Sequence, residues 1–155
     1  MKYWLIKSES SCYSIDDLKH DKKTAWTGVR NFQARNFMRD EMNIGDLVLF
    51  YHSNGDKQNP TGVYGIAKVA SKPIPDMTQF DRKDDHYDPK SQKDAPTWIC
   101  VEMAFLEKFT HPVTLPEIKF DPKLEGMLVR TQGSRLSIQP VSEKHFRYIR
   151  EQLSK

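Results

Sequence analysis

Cysteines and long apolar runs are scarce in this sequence, and each scarcity excludes a class of protein. The two cysteines, Cys12 and Cys100, are far apart and lack CxxC or Cys/His spacing, so neither a disulfide framework nor a structural zinc site is indicated. The N-terminal apolar run Tyr3 to Ile6 has four residues, whereas a signal peptide needs ~7–15 and a membrane span ~20. We therefore expect a soluble intracellular protein with free thiols and no membrane partner, cytoplasmic or, in a eukaryotic source, nuclear.

Catalytic and cofactor-binding signatures are also absent. The sequence has no P-loop, GxSxG, HExxH or GxGxxG motif, and its five histidines are scattered singly. The nearest glycine pair, Gly62 and Gly65, is better explained by close packing or twist within a strand. We therefore predict no metal, no cofactor and no catalytic residue.

The length of the chain and the distribution of its charges narrow the class of protein further. The 155 residues are 37% hydrophobic and 29% charged, which is ordinary for a globular protein and predicts a single domain over residues 1–155. The segment Lys22 to Arg39 holds five basic residues and no Asp or Glu, although the net charge of the chain is only +3, and a second basic run extends from Leu128 to Arg150. Segregated positive charge is typical of proteins whose partner carries phosphate, but solvated surface charge explains the pattern equally well.

Apolar patterns predict several short strands separated by short helices. The expected strands are Lys2 to Ser8, Leu47 to Ser53, Thr61 to Pro73, Thr97 to Phe109, Met127 to Arg130 and Arg135 to Val141. Helices are expected after the caps Ser14, Asn31 and Ser142 and as a short turn at LPEIKFD. The segment Pro73 to Pro96 is expected to be a long surface excursion. Together these elements predict an α+β domain, a small mixed β-barrel flanked by short helices.

The segment WTGVRNFQARNFM, from Trp26 to Met38, is the strongest candidate for a site. A tryptophan followed by Thr-Gly indicates a loop, where its flat face suits stacking on a nucleobase, although a core tryptophan is equally consistent with the sequence. Gly28 permits a close approach of the backbone to a ligand. Asn31 serves as an N-cap, and its amide is also able to read one edge of a base.

Arginines and polar strand ends extend this candidate site. Arg30, Arg35 and Arg39 offer forked donors suited to phosphate oxygens, and Arg35 and Arg39 are predicted as phosphate contacts; a solvated helix face is the alternative. In FYHS, the polar groups of Tyr51 to Ser53 emerge at the end of a buried strand, where sites are common. Ordinary packing of the tyrosine and surface exposure of the histidine are the alternative there.

Six motifs resemble those of the EVE domain family in order and approximate spacing. They are KYWLIKSE, WTGVRNFQARNFM, GDLVLFYHSN, HYDPKS, PTW and RLSIQPV, and the resemblance covers essentially the whole chain. It implies a PUA-like fold, related to YTH and ASCH domains, that holds a flipped, modified base, foremost a modified cytosine, in a pocket at the edge of the barrel. By the same resemblance, the pocket residues are Ser8, Trp26, Val29, Arg30, Asn31, Tyr51, His52, Ser53 and Arg135.

The leading functional hypothesis is a non-catalytic, monomeric module that binds DNA or RNA carrying a modified base. One alternative is a small hydrolase or nuclease related to ASCH domains, in which Lys7, Tyr51, His52 and Arg135 would act as acid, base and anion stabilisers. Carboxylates that would hold a metal for such an enzyme are concentrated between Asp76 and Asp88, which we expect to lie away from the basic stretch. A second alternative is a protein-interaction module.

Overall fold

A computed structural model describes all residues from Met1 to Lys155. It confirms a mixed α+β fold, in which a curled half-barrel sheet of six strands is flanked by four short helices. The strands are β1 (Tyr3–Glu9), β2 (Lys23–Ala25), β3 (Leu47–Ser53), β4 (Gly62–Val69), β5 (Ile74–Pro75), β6 (Ile99–Cys100), β7 (Glu102–Thr114) and β8 (Ile138–Val141). The α-helices are α1 (Ile15–Asp21), α2 (Phe32–Asn36), α3 (Leu115–Phe120) and α4 (Glu143–Tyr148). None of the helices reaches the length and hydropathy that a membrane-spanning segment needs.

The sheet runs in the order β2-β7-β4-β3-β1-β8, and β5 and β6 form a separate two-stranded ribbon. Strands β1 and β3 are parallel, with Tyr3 opposite Leu47 and Glu9 opposite Ser53, whereas every other pair is antiparallel. The carboxyl ends of β1 and β3 therefore lie at the same edge of the sheet, and the chain leaves β1 there toward α1.

Both faces of the sheet are buried at the central strands β1 and β3, because their alternate residues enter two different apolar clusters. On β1, Trp4 and Ile6 belong to the cluster that includes Ile15 of α1 and Ala34 of α2. The intervening Leu5 belongs to the second cluster, which contains residues of α3 and α4. The same alternation decides which side chains of β3 face which cluster.

Local signals in the sequence account for several boundaries. Ser14 and Asp17 form the predicted capping box at the start of α1, and the side chain of Asn31 accepts a hydrogen bond from the backbone N–H of Ala34 at the start of α2. Strand β3 has the predicted bounds. Gly65 lies where β4 packs so closely on β7 that a Cβ would collide with the Glu107 carbonyl oxygen, which confirms close packing as its reason.

One predicted strand was wrong and another was wrong in part. Met127 to Arg130 is a 3-10 turn at Leu128–Arg130, held by hydrogen bonds from the Arg130 guanidinium to the Asp121 and Lys119 carbonyls; four residues are too few for alternation to distinguish a strand from such a turn. The predicted strand Thr97 to Phe109 is broken at Val101, whose carbonyl accepts from the backbone N–H of Trp26. Its second part, β7, continues to Thr114.

Candidate functional site

A solvent-open cavity of about 630 Å³ lies at the carboxyl end of β1, and we call it the β1 cavity. Its walls come from the end of β1 and the following loop, from β2, from the loop between β2 and α2, and from one residue each of the excursion and the segment before β8. The lining residues are Lys7, Ser8, Glu9, Cys12, Tyr13, Thr24, Ala25, Trp26, Thr27, Gly28, Val29, Arg30, His86 and Ser137. Its volume falls within the ~300–1,000 Å³ range of small-ligand sites.

Trp26 is a core residue whose remaining surface borders this cavity. The residue is 9% exposed, and its ring packs edge-on against Tyr13 and Phe50, at centroid distances of 6.0 and 5.6 Å. Trp26 lies in a loop as predicted, but its ring has no open face, and the alternative of a core tryptophan describes its packing. The indole supports the cavity wall from behind rather than projecting into solvent.

The loop that follows Trp26 is fastened to the excursion by one buried carboxylate. Asp76 is 1% exposed, and its Oδ2 accepts hydrogen bonds from the backbone N–H of Gly28 at 2.8 Å and from Nη1 of Arg30 at 3.0 Å. Its Oδ1 accepts from the backbone N–H and the hydroxyl of Thr78. Burial alone raises the pKa of Asp76, but the hydrogen bonds from Thr78, Gly28 and Arg30 outweigh it, and the pKa lies below its ordinary value.

Gly28 is required where it lies. Its φ of +87° is in the left-handed region, and an added Cβ would lie 2.9 Å from Cε1 of His86. Any other residue would therefore be strained by this φ, and its Cβ would force the His86 side chain to shift. The glycine allows the loop to pass under His86, which the excursion brings to the cavity.

Arg30 holds this arrangement together and has no donor left for a ligand. Its guanidinium carries five N–H groups, which donate to the carbonyls of Val29 and His86, to the Asp76 carboxylate and to the Thr78 hydroxyl, the His86 carbonyl accepting two. Arg30 lines the β1 cavity, but its guanidinium would have to give up one of these contacts to bind a phosphate. The expectation that the carboxylates of the excursion lie away from the basic stretch was wrong, since Asp76 pairs with Arg30.

The end of β1 contributes a lysine and a serine to the β1 cavity. The Ser8 hydroxyl donates to the Tyr13 carbonyl, which fixes the loop after β1. Nζ of Lys7 donates to the Ser134 carbonyl at 3.1 Å, and burial lowers the pKa of this lysine. Lys7 thus places a positive charge at a partly desolvated wall.

Five of the predicted pocket residues do not line the β1 cavity, and they are Asn31, Tyr51, His52, Ser53 and Arg135. Tyr51 is buried with Leu49 in the second apolar cluster, because side chains two apart share one face of a strand, and burial raises its pKa to about 12. Asn31 uses its side chain as the cap of α2, and Arg135 is exposed.

His52 lines a different cavity beside the start of α1, which we call the α1 cavity; Asp16, Tyr64 and Lys108 are among the other residues that line it. Nε2 of His52 accepts a hydrogen bond from the backbone N–H of Ile15 at 3.1 Å, and its ring stacks on Tyr64 at a centroid distance of 4.0 Å. The imidazole thus anchors the start of α1 to β3.

The burial of His52 leads us to expect that the free energy of unfolding decreases in acid. Burial lowers its pKa from 6.5 to about 4, so the imidazole stays neutral in the folded state while the unfolded chain takes up a proton. The stabilisation is complete above pH 6.5 and is lost as the pH falls from 6.5 toward 4. We expect His52→Gln to remove about 2 kcal/mol of the decrease in unfolding free energy between pH about 7.5 and 5.

The measurement is chemical denaturation across that pH range. Burial lowers the pKa of His145 as well, so both proteins should carry His145→Gln, which removes its contribution. Equal pH slopes with and without His52 would contradict this assignment.

The two arginines predicted to contact phosphate, Arg35 and Arg39, differ in whether a carboxylate pairs with them. Arg39 forms a two-point ion pair with Asp40 on the surface. Arg35 has no carboxylate partner; its guanidinium donates to Oδ1 of Asn36 and to the carbonyl of Thr97. The positive charge of Arg35 is therefore less fully neutralised within the protein than that of Arg39.

Sequence reasoning missed most of the residues that complete the cavity wall. Cys12 and Tyr13 come directly after the KSES stretch, and His86 begins the motif HYDPKS, so the family resemblance marked their neighbourhoods without assigning them a role. No local signal indicated that the excursion would return His86 to Gly28. That placement depends on Asp76, whose partners are 48 and 46 residues away in sequence.

The fold and the cavity define a small PUA-like domain: a mixed half-barrel with an open site beside the end of a parallel strand pair. The EVE domain family model matches residues 2–152, and the chain belongs to the EVE domain family. Thymocyte nuclear protein 1 of Gallus gallus is 40% identical over 95% of this chain and 66% of its own length. The chain thus spans about two thirds of the length of the curated relatives that it matches.

Solved structures agree with this assignment. A hypothetical protein from Leishmania major has a TM-score of 0.90 and 43% identity, covering 96% of this chain and 92% of that one. Human THYN1, solved in complex with DNA that contains 5-methylcytosine, has a TM-score of 0.87 and 36% identity over 96% of this chain and 95% of that one. An ASCH protein variant from Zymomonas mobilis, at 14% identity and a TM-score of 0.52, shares the fold alone.

Proposed function

We propose that this protein is a DNA-binding module that holds a flipped, modified cytosine in the β1 cavity. The observation that carries the proposal is the cavity itself, which opens between the end of β1 and the Trp26 to Arg30 loop. Its likeness to human THYN1, which was solved with DNA containing 5-methylcytosine, supports DNA as the polymer and a methylated cytosine as the base. RNA carrying a modified base is the comparison that an experiment should include.

The wall of the β1 cavity suits a flat, polar ring. Tyr13 and Trp26 provide aromatic surface, and Thr27 and Gly28 also line the cavity. Flipping a base costs a few kcal/mol, which stacking and desolvated hydrogen bonds must offset. The contacts of Asp76 with Gly28 and Arg30 already fix the loop. Binding a base would therefore cost little conformational entropy in this loop.

Phosphate contacts belong to the same proposal. Arg35 is best placed for this role, because no carboxylate pairs with it, while Arg39 would have to share its charge with Asp40. Arg35 is in the last turn of α2, so a phosphate beside it would lie along that helix. The strand would then run from the β1 cavity past that helix.

The alternative of a hydrolase or nuclease receives little geometric support. Lys7 lines the β1 cavity, His52 lines the α1 cavity, and neither Tyr51 nor Arg135 lines either one. Nζ of Lys7 lies 6.0 Å from the Tyr51 ring, but His52 and Arg135 do not join this pair, so an acid, a base and an anion stabiliser do not converge on one cavity. Arg30, which belongs to the loop that lines the β1 cavity, uses all of its N–H donors in contacts within the protein.

The proposed function is tested by filling the cavity. Cys12 is exposed and lines the β1 cavity, so Cys12→Trp should obstruct it while Cys12→Ser, the matched control, should not. We expect Cys12→Trp to weaken binding of a 5-methylcytosine oligonucleotide by roughly 5- to 150-fold, the equivalent of one stacked base, and Cys12→Ser to bind like the wild type.

The same titrations should include the unmethylated oligonucleotide. Burying one methyl group contributes about 0.8 kcal/mol, so the wild type should prefer the methylated strand by about fourfold or more. Fluorescence anisotropy measures both differences, and thermal unfolding shows whether the variants are folded. If Cys12→Trp is folded and binds methylated DNA as tightly as Cys12→Ser, the base does not enter this cavity.

A further inference from the structure

An aromatic ring lies unusually open on the surface next to the β1 cavity. Phe32 is the first residue of α2 and is 58% exposed. The inner face of its ring stacks on Trp98 at a centroid distance of 4.8 Å and an interplanar angle of 24°. Trp98 itself is buried, and its indole N–H donates to Asp88. The phenyl ring is thus held at a fixed orientation by a rigid partner.

The outer face of the Phe32 ring is free. The Arg35 guanidinium carbon lies 4.8 Å from the Phe32 ring and 5.9 Å from the Trp98 ring. If the guanidinium lay on the outer face of Phe32, its distance to the Trp98 ring would be close to the sum of the Phe32–Trp98 and Phe32–Arg35 distances. The observed distance to Trp98 is much shorter, so the guanidinium lies at the side of the Phe32 ring. An open apolar face and a positive charge with no carboxylate partner therefore stand side by side.

This platform is continuous with the β1 cavity. Arg30 lines the cavity, and its guanidinium carbon lies 5.1 Å from the Trp98 ring that supports Phe32. Phe32 follows Arg30 by two residues, a Cα separation of at most about 7.6 Å. Successive nucleotides of one strand are spaced by about 3.4 Å when stacked and further apart when extended, so the platform is within reach of a nucleotide next to the one in the cavity.

We propose that the outer face of Phe32 stacks on the nucleobase adjacent to the base held in the β1 cavity, and that Arg35 contacts the phosphate between them. This inference rests on the proposed function and adds a second contact between the protein and the nucleic-acid strand. Stacking on an aromatic side chain tolerates any base, because every base has a π-face. The adjacent nucleotide would therefore contribute affinity without restricting the sequence that is read.

The test is a double-mutant cycle between the ring and the adjacent base. Phe32→Leu keeps an apolar side chain but removes the flat face, and Phe32→Tyr is the matched control that keeps it. Each protein is titrated with a single-stranded oligonucleotide containing one 5-methylcytosine, and with two further oligonucleotides that have an abasic site on its 5′ or its 3′ side. Thermal unfolding verifies that the variants are folded.

We expect Phe32→Leu to weaken binding of the intact oligonucleotide by roughly 5- to 150-fold, and Phe32→Tyr to have no such effect. On one of the two abasic oligonucleotides, wild type and Phe32→Leu should bind equally. Equal binding of the intact strand by wild type and Phe32→Leu would overturn the inference, and so would the same loss on all three strands. Failure of the proposed function is seen separately, as insensitivity of binding to Cys12→Trp.

Discussion

Asp76→Ala is expected to lower the free energy of unfolding by about 3–5 kcal/mol, the usual cost of removing one partner of a buried ion pair. Four hydrogen bonds to the Asp76 carboxylate would be lost, from the backbone N–H of Gly28, from Arg30, and from the N–H and hydroxyl of Thr78. The Arg30 guanidinium, which is largely buried, would keep its charge without a counter-ion. Urea denaturation followed by circular dichroism measures the loss.

The Asp76 substitution should also disable the β1 cavity, because the same carboxylate joins the Gly28 loop to the excursion that carries His86. Asp76→Asn keeps the size of the side chain and one acceptor oxygen, so it should cost less than the alanine variant. Asp85→Ala is the matched control, since Asp85 is an exposed carboxylate of the same segment and should change stability by less than about 0.5 kcal/mol. Similar losses in the Asp76 and Asp85 variants would contradict the role given to Asp76.

The second large effect is expected at Trp26. Its side chain is 9% exposed and packs between Tyr13 and Phe50 within the first apolar cluster, so Trp26→Ala should cost about 3–5 kcal/mol of stability. Trp26→Phe, which leaves a smaller void, should cost less. Chemical denaturation of both variants measures the difference.

This result determines how binding data on Trp26 must be interpreted. Loss of DNA binding by Trp26→Ala would not separate a pocket residue from a core residue, because the wall of the cavity would collapse in either case. Binding is informative only for Trp26→Phe, and only if that variant is folded. A fully stable Trp26→Ala protein would show that the indole does not pack as the structure describes.

Part of the sheet was predictable because its longer strands are rich in apolar residues. Strand β3 was predicted from a continuous apolar run, β4 from alternation, and α1 from its capping box. The 3-10 turn at Leu128–Arg130 was not, since its buried and exposed residues alternate as they would in a short strand. Local pattern is insufficient where long-range hydrogen bonds decide the backbone.

The candidate site was predictable only in part, for two physical reasons. Adjacent residues of a strand point to opposite faces, so Tyr51 and His52 separate, one into the second apolar cluster and the other toward the α1 cavity. The excursion returns to the Trp26 loop through Asp76 and His86, and contacts across about fifty residues leave no periodic signal. Ser8, Trp26, Val29 and Arg30, by contrast, line the β1 cavity, and their role in binding a base stays a prediction.

The central claim, that a modified base occupies the β1 cavity, is tested most directly by the alkylation rate of Cys12. Burial raises the pKa of Cys100 to about 12, and this thiol is 1% exposed, so a maleimide reagent should label Cys12 selectively. Saturating 5-methylcytosine DNA should slow that labelling strongly, and an unmethylated strand at the same concentration should slow it less. If Cys12 reacts at the same rate with and without bound methylated DNA, the base lies elsewhere and the account is contradicted.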